Sequence, residues 1–163
     1  MRVGIGYDIH RLAKGYQLVL GGVTIPYHLG LEGHSDADVL VHAIMDALLG
    51  ALSLPDIGYY FPEDNTNYRD ISSLKLLREV GEIIKKKEYY INNLDSVIIV
   101  QQPRISSYIS EMKNNIARGL EVQEDAVGIK ATTHEKLDSI GRIEGIAAQA
   151  VALLEKNGKG NFS

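Results

Sequence analysis

Three side chains of the Asp and His types are candidate ligands for a metal ion. Asp8 and His10 stand two positions apart in GYDIH, and His42 lies within HSDADVLVHAIMDALLGA. In a β-strand, residues two positions apart point to the same face, so Asp8 and His10 are expected to lie side by side. One carboxylate and two imidazoles are sufficient for a catalytic zinc whose remaining position stays open. If the fold brings His42 to this pair, the sequence predicts a zinc site.

The same residues have a plain structural interpretation. His42 lies one helical turn from both Asp38 and Asp46, so it can be a surface histidine that pairs with Asp46. Asp8 and His10 can likewise be exposed polar residues on one strand face. In the metal-binding interpretation, Asp46 instead orients the His42 ring from behind.

Two further segments carry residues that can hold phosphate. GHSDADV, residues 33–39, is expected where the helix of His42 begins, and helix N-termini favour anions. Ser35 is expected to cap that helix, in a capping box with Asp38, and His34 to add a hydrogen-bond donor. KATTHEKL, residues 130–137, contains Glu135, and one carboxylate completed by substrate phosphates is a common magnesium site. A strand end followed by a solvated charge explains that segment equally well.

Composition limits the classes of function. The chain has 163 residues, enough for one domain with a buried core, and a formal charge of −4. The acidic balance argues against a general nucleic-acid binder. Cysteine is absent, which excludes disulfides, iron–sulfur clusters and thiolate zinc sites. Neither a signal peptide nor a membrane span is recognisable, so we expect a cytoplasmic protein without membrane or nucleic-acid partners.

The elements that must position these residues alternate between strand and helix patterns, which predicts a mixed α/β domain. Strands are predicted at residues 2–10, on either side of Gly21 and Gly22 as a hairpin, at 95–101 and at 127–133. Helices are predicted from Ser35 to before Pro55 and at 73–87, 107–120 and 143–155. The prediction of the last helix depends on the helical spacing of Ile146, Ala150 and Leu153. Residues 54–70 are predicted to be a long functional loop.

Taken together, the motifs resemble those of the 2-C-methyl-D-erythritol 2,4-cyclodiphosphate synthase family, which acts in the non-mevalonate isoprenoid pathway. The resemblance extends to about Lys156 and rests on GYDIH, LGGVTIP, HSDADVLVHAIMDALLGA, DIGYYFP, IKATTHEKL and GRIEGIAAQAVALL, in that order. It implies one α/β (α+β) domain over residues 1–156, and residues 157–163 are expected to fray. The implied fold is a mixed four-stranded sheet with helices on one face and a small hairpin. The implied assembly is a homotrimer with active sites between subunits.

The resemblance also implies the reaction. The substrate would be 4-diphosphocytidyl-2-C-methyl-D-erythritol 2-phosphate, whose 2-phosphate attacks the β-phosphorus, releases CMP and closes a cyclic diphosphate. The enzyme would be a phosphorus–oxygen lyase that uses zinc at Asp8, His10 and His42 and magnesium or manganese at Glu135. Its catalytic residues would be His34 and Thr133.

The binding residues implied by the resemblance form two groups. The phosphate and methylerythritol group comprises Asp8, Ile9, His10, His34, Ser35, Asp56, Ile57, Gly58, Phe61, Pro62, Glu63, Asp64, Asn65 and Arg142. The cytidine group comprises Val100, Gln101, Gln102, Pro103, Arg104, Ile105, Ser106, Thr132, Thr133, His134 and Glu135. Arg142 and Glu144 match positions that bind isoprenoid diphosphates at the trimer axis in some family members, and a salt bridge between them across subunits is the preferred expectation here.

Two other functions fit the metal-binding interpretation. A zinc hydrolase would use the metal to activate water against a phosphoester and would give a linear product. A metal-stabilised scaffold would melt at a different temperature with metal but would turn over no nucleotide. The phosphate-binding segments argue against the scaffold, and the resemblance along the chain argues against the hydrolase.

Overall fold

A computed structural model of the chain describes residues 1–62, 64, 68 and 71–157. The strands are β1 (Arg2–Ala13), β2 (Leu18–Leu20), β3 (Val23–Ile25), β4 (Gly30–Leu31), β5 (Tyr89–Ile99), β6 (Val127–Thr132) and β7 (Gly145–Lys156). The helices are α1 (Val39–Ala51), α2 (Ile57–Tyr60), α3 (Ser73–Lys86), α4 (Ile109–Leu120) and α5 (Asp138–Gly141). Short 3-10 turns occupy Ser106–Tyr108 and Glu124–Ala126. Residues 158–163, most of the segment expected to fray, lie outside the described residues.

The main sheet is mixed and has the strand order β4, β1, β7, β5, β6. β5 and β6 run parallel, and the other neighbouring pairs are antiparallel. This confirms the predicted mixed sheet and adds a two-residue strand, β4, to the four that were expected. The predicted hairpin is confirmed as well, because β2 and β3 pair across Gly21 and Gly22, whose φ angles are 56° and 71°.

The region predicted to be the last helix is a strand, so that prediction was wrong. β7 pairs with β1 on one side and with β5 on the other, at the centre of the sheet. Its residues Ile146, Ala148, Ala150 and Ala152 alternate on one face and are at most 1% exposed. Alanine favours helices, and the spacing of its apolar neighbours fits a helix too, but pairing with two strands overrides that local preference.

Helix α1 packs so closely on β1 that the strand must present glycine to it. A Cβ atom on Gly4 would lie 2.0 Å from the carbonyl oxygen of Ala47, and one on Gly6 would lie 1.9 Å from that of Ala43. Any side chain at either position would therefore overlap the helix backbone. This close approach brings α1 within reach of the polar residues farther along β1.

The buried carboxylate of Asp38 fixes the start of α1. It accepts the backbone N–H of Val41 at 3.1 Å and those of Gly21 and Gly22 at 3.0 and 2.7 Å. The helix thus begins four residues later than its predicted start at Ser35, and the Asp38 hydrogen bonds connect it to the β2–β3 hairpin. Burial, with the charge of Asp36 nearby, raises the pKa of Asp38 to about 6, although its three N–H donors act in the opposite direction.

The opposite face of β1 is apolar and uncovered. Val3, Ile5 and Tyr7 are 66%, 62% and 55% exposed. They point away from α1, because side chains alternate along a strand. The helices therefore cover one face of the sheet and leave this apolar stripe exposed on the other. Among the described residues, no helix combines the length and apolar character that crossing a bilayer requires.

Candidate metal centre and phosphate-binding cavity

The fold brings the predicted metal ligands together. Strand β1 directs Asp8 and His10 to the face that α1 covers, and α1 contributes His42. The carboxylate Oδ2 of Asp8 lies 2.9 Å from His42 Nδ1 and 3.0 Å from His10 Nε2. His10 Nε2 and His42 Nδ1 are 3.4 Å apart, and one potential ligand atom from each residue lies within 4.8 Å of the others. The condition for a metal site that the sequence left open, that the fold brings His42 to Asp8 and His10, is therefore met.

In each histidine, the ring nitrogen that points away from Asp8 has another hydrogen-bond partner. His10 Nδ1 lies 2.9 Å from the carbonyl oxygen of Glu32, which only accepts, so Nδ1 carries the proton. In the neutral ring, His10 Nε2 then directs a lone pair toward Asp8. His42 Nε2 lies 2.9 Å from the hydroxyl of Ser73 and 3.3 Å from that of Ser35. The Asp8 oxygen and the two nearby ring nitrogens thus converge on one point, and the far nitrogen of each ring is held by a hydrogen bond. Protein metal sites have this arrangement.

The charge of Asp8 supports this fit. Partial burial acts to raise the pKa of its carboxyl, but the imidazoles of His10 and His42 beside it outweigh burial and hold the pKa well below the usual range, because positive charge on either ring favours the carboxylate. Asp8 is therefore ionised at neutral pH, as a metal ligand must be. A carboxylate with two imidazoles is a donor set that suits zinc.

The prediction that Asp46 orients His42 was wrong. Its Oδ1 atom accepts the backbone N–H of Ile57 at 2.9 Å, which holds the start of α2 against α1. Burial is the main cause that raises the pKa of Asp46. The residue behind the His42 ring is Ser73, at the first position of α3. Helical spacing could not identify Ser73, because it lies 31 positions away along the chain.

A cavity of about 180 Å³ opens at the metal ligands. Its lining comprises Asp8, His10, His34, Ser35, His42, Ile57, Gly58, Phe61, Tyr68 and Leu76. His34 and Ser35 thus share one cavity with the metal ligands, as their predicted role requires. Tyr68 and Leu76 had not been singled out from the sequence, since an aromatic and a leucine at these positions are equally typical of a core.

The expected anion site at the start of α1 is not where the sequence placed it. That helix end already holds the carboxylate of Asp38, which accepts the Val41 N–H. Ser35 lies in the preceding loop, where its hydroxyl accepts the N–H of Ala37 at 3.3 Å. A phosphate in the cavity would therefore meet the side chains of His34 and Ser35 rather than the first N–H groups of the helix.

The other residues expected around the methylerythritol group lie in different places. Asp56 caps α2 by accepting the N–H of Tyr59 at 3.1 Å, beside the lining residues Ile57 and Gly58. The side chain of Ile9 is on the opposite face of β1, is 46% exposed and does not line this cavity. Pro62 and Asp64 are described but do not belong to the cavity lining, and Glu63 and Asn65 lie outside the described residues.

A second cavity, of about 390 Å³, collects most of the predicted cytidine residues. It is lined by Val100, Gln101, Pro103, Arg104, Ile105, Ser106, Ala131, Thr132, Thr133 and Glu135. These residues follow or end the parallel strands β5 and β6, whose carboxyl ends meet at one edge of the sheet. Gln102 and His134 are not in this lining, and His134 Nδ1 instead lies 2.7 Å from Asp138 Oδ2.

Thr133 and Glu135 form a compact turn in this second cavity. The Thr133 hydroxyl lies 3.3 Å from Glu135 Oε1 and also accepts the Glu135 N–H at 3.3 Å. Among the described residues, none lines both cavities, so Glu135 and Asp8 belong to separate places within one chain.

Arg142 and Glu144, which were expected to pair between subunits, form an ion pair within one chain. Arg142 Nε donates to Glu144 Oε1 at 2.8 Å, and both side chains are more than half exposed. The hydrogen bond raises the pKa of Arg142 and lowers that of Glu144. At this exposure the pair contributes little to folding stability.

Comparison with known proteins gives one consistent result. The sequence model of the YgbB family matches residues 1–155. A 2-C-methyl-D-erythritol 2,4-cyclodiphosphate synthase of Desulforamulus reducens is 59% identical over 96% of this chain and 99% of its own length. The enzyme of the same name from a Synechocystis species is 57% identical over 97% of this chain and 98% of its own length. The structure of Plasmodium falciparum IspF, a CDP complex, is 38% identical with a TM-score of 0.84, over 96% of this chain and 97% of that one.

Proposed function

Because the chain belongs to the YgbB family, and its relatives are named 2-C-methyl-D-erythritol 2,4-cyclodiphosphate synthases, we propose that it is an enzyme of that reaction. The synthase domain in this proposal spans residues 1–156. The observation that carries the proposal is the convergence of Asp8, His10 and His42 within 4.8 Å at a cavity that also contains His34 and Ser35.

The reaction converts 4-diphosphocytidyl-2-C-methyl-D-erythritol 2-phosphate to 2-C-methyl-D-erythritol 2,4-cyclodiphosphate and CMP, as a step of the non-mevalonate route to isoprenoids. An oxygen of the 2-phosphate bonds to the β-phosphorus, and the bond from that phosphorus to the bridging oxygen breaks, so the electron pair leaves with CMP. A phosphate has a second pKa of about 6, so the attacking oxygen needs no side-chain base near neutral pH. The enzyme is then a phosphorus–oxygen lyase that works by alignment and charge neutralisation.

Zinc is the metal proposed for Asp8, His10 and His42, since two imidazoles, one carboxylate and an open position are typical of catalytic zinc. Bound there, it supplies Lewis acidity toward a phosphoryl oxygen. The chain's own contribution is to hold the ligands in place: close packing of α1 on β1 sets the position of His42, and the Glu32 carbonyl sets the tautomer of His10.

His34 and Ser35 are proposed to bind the substrate phosphates. An imidazole and a hydroxyl at the same cavity as Asp8 can each donate a hydrogen bond to a phosphate oxygen. The apolar wall formed by Ile57 and Phe61 fits the methyl-bearing carbon chain, and Asp56 at its edge is a partner for a substrate hydroxyl. Together these contacts would hold the 2-phosphate in line with the bond that breaks.

The cytidine half of the substrate is proposed to bind in the second cavity. The CDP bound by the Plasmodium falciparum relative supports a cytidine nucleotide as ligand here. Glu135 would hold magnesium or manganese between the nucleotide phosphates, since one carboxylate completed by phosphate oxygens is a usual arrangement for magnesium. Thr133, in the same turn, would position the diphosphate.

A homotrimer is proposed because one chain holds its two cavities apart. A substrate that carries cytidine at one end and a 2-phosphate at the other has to reach both. The stripe of Val3, Ile5 and Tyr7 on the uncovered sheet face supports contact with further copies, because large exposed apolar faces usually mark interfaces. The metal cavity of one subunit would then meet the cytidine cavity of the next.

Phosphorus NMR of the reaction distinguishes the three functions. Purified protein is incubated with the diphosphocytidyl substrate, zinc and magnesium in water enriched in oxygen-18. The lyase gives CMP and the cyclic diphosphate in equal amounts without oxygen-18. A hydrolase gives a linear product that carries oxygen-18, and a scaffold gives neither product. Either of the last two results would refute the proposed function.

A variant of His42 tests the metal assignment separately. His42→Ala removes one of the protein ligands, and sites that lose a ligand bind zinc much more weakly. We expect loss of bound zinc and nearly all turnover while the assembly persists. His28→Ala is the matched control, since His28 belongs to neither cavity lining and should leave zinc content unchanged. Full activity of His42→Ala would contradict the assignment.

A further inference from the structure

The ring of His42 is backed by a chain of hydrogen bonds that ends on a carboxylate. His42 Nε2 lies 2.9 Å from the Ser73 hydroxyl, and that hydroxyl donates a hydrogen bond to Asp36 Oδ1. The backbone N–H of Ser73 donates to the other oxygen, Asp36 Oδ2, at 2.9 Å. We propose that Ser73 and Asp36 are positioning residues that fix the tautomer and orientation of His42 for metal binding, an inference that rests on the proposed metal site.

The direction of these bonds follows from the number of available protons. An ionised carboxylate accepts only, so the single proton of the Ser73 hydroxyl goes to Asp36. The Ser73 oxygen is then left as an acceptor toward His42, which must donate from Nε2. The neutral ring that has its proton on Nε2 has a lone pair on Nδ1, the nitrogen that lies 2.9 Å from Asp8 Oδ2. Asp36 therefore favours the tautomer in which Nδ1 has a lone pair for the metal, against the pull of Asp8, which by itself would favour a proton on Nδ1.

Two of the three members of this hydrogen-bond chain, Ser73 and His42, are shielded from water, whereas Asp36 is half-buried. Ser73 is completely buried and His42 is 8% exposed. Asp36 is held in place from its own backbone as well, since its N–H lies 3.3 Å from the carbonyl oxygen of Ile71, just before α3. The loop that precedes α1 and the first turn of α3 are thus joined at Asp36, and the metal ligand depends on both.

Asp36→Asn is the decisive variant, because it changes the proton count with almost no change in shape. Asparagine has one acceptor oxygen and one amide donor. If the oxygen keeps the Ser73 N–H, the amide faces the Ser73 hydroxyl and donates to it. The hydroxyl can then donate to His42 Nε2, which moves the ring proton to Nδ1 and blocks metal binding. If the amide turns over, the buried Ser73 N–H loses its acceptor.

Nitrogen-15 NMR of the histidine rings tests the tautomer without any metal. In zinc-free protein, we expect the neutral His42 ring to carry its proton on Nε2, and Asp36→Asn to shift part or all of it to Nδ1. The His10 ring should keep its proton on Nδ1 in both proteins, because its partner is the Glu32 carbonyl. A His42 ring that carries its proton on Nδ1 in the parent protein would overturn the inference.

Zinc affinity, measured by competition with a chelator, tests the consequence. Loss of a group that orients a metal ligand typically weakens binding by about 10- to 100-fold, which we expect for both Asp36→Asn and Ser73→Ala. Ser96→Ala is the matched control: Ser96 is 3% exposed and donates to the Gly128 carbonyl at 2.8 Å, in β5. It removes a comparable buried hydrogen bond and should change zinc affinity by less than about twofold, since its bond supports no ligand.

The outcomes separate this inference from the proposed function. If Asp36→Asn and Ser73→Ala bind zinc as tightly as Ser96→Ala does, the inference is wrong, while the metal site and the reaction stand. If the parent protein binds no zinc, the proposed metal site fails, and with it the role given to Asp36 and Ser73. A circular dichroism spectrum and melting temperature for each variant establish that a weakened affinity belongs to a folded protein.

Discussion

Replacing Gly6 by alanine should disrupt the metal centre from a position that contains no ligand. The new Cβ atom would lie 1.9 Å from the carbonyl oxygen of Ala43, where ordinary contact begins at 3.4 Å. The obstacle is helix backbone, which cannot rotate away as a side chain can. Helix α1 must therefore move outward by about 1.5 Å, the difference between the two distances, or β1 must bend.

The size of both effects can be worked out from this displacement. Overpacking of a core typically costs about 1–3 kcal/mol, and a backbone obstacle puts Gly6→Ala near 3 kcal/mol. At about 2–4 °C per kcal/mol for a chain of this size, the melting temperature should fall by about 6–12 °C. Metal–ligand distances tolerate only about 0.2 Å, so moving His42 away from Asp8 by more than this should abolish tight zinc binding.

The assay is thermal unfolding at one protein concentration, with zinc content measured on the same samples. Gly50→Ala is the control on the same helix, because its Cβ atom would lie 3.6 Å from the Ile5 carbonyl oxygen, an ordinary contact. Alanine in a helix is favoured over glycine by about 0.5–1 kcal/mol, so this variant should melt at the same or a higher temperature and keep its zinc. If Gly6→Ala also melts and binds zinc like the parent, close packing does not position His42.

Three other predictions concern a buried charge, the assembly and the second metal. The pKa of Asp38 is raised from 3.8 to about 6 by burial, so its contribution to stability is complete below pH 3.8 and lost as pH rises through 6. Relative to Asp38→Asn, zinc-free parent protein should lose about 2 kcal/mol of unfolding free energy in urea between pH 4 and pH 7, and a pH-independent difference would be evidence against this. Ile5→Glu places a charge on the exposed apolar stripe and should give an 18.0 kDa monomer by light scattering, whereas an intact trimer would exclude that face as the interface. Glu135→Ala should keep its zinc but respond more weakly to magnesium in the turnover assay, and an unchanged titration would remove Glu135 from that role.

The sequence predicted the local chemistry of the site better than its surroundings. Strand alternation correctly placed Asp8 and His10 on one face, and the helical pattern around His42 correctly placed that residue on a helix. Both inferences depend on the spacing of apolar and polar residues within one short segment, and a single sequence is enough to show that spacing. The order of the predicted elements also indicated a mixed sheet correctly, apart from β7.

What the sequence did not reveal depends on contacts between distant segments. Alternation separates the two faces of β1 but does not say which is buried, and the buried face here is the one with glycines. Ser73 behind His42 comes from a different helix, so Asp46, one turn away, was the natural but wrong choice. The run of alanines in β7 favours a helix locally and becomes a strand only because the neighbouring strands and α1 leave room for small residues.

The alternation of β1 also restricts how the length of this chain can vary. Gly4, Gly6, Asp8 and His10 all point to the face of β1 that α1 covers. The glycines that allow close packing and the side chains that line the cavity therefore follow the same two-residue alternation. Deleting a single residue between Gly6 and Asp8 would place either the glycines or the ligands on the wrong face, however mild the change in composition. Insertions and deletions within this strand should therefore be tolerated only in pairs, and single-residue changes in length should be confined to the loops.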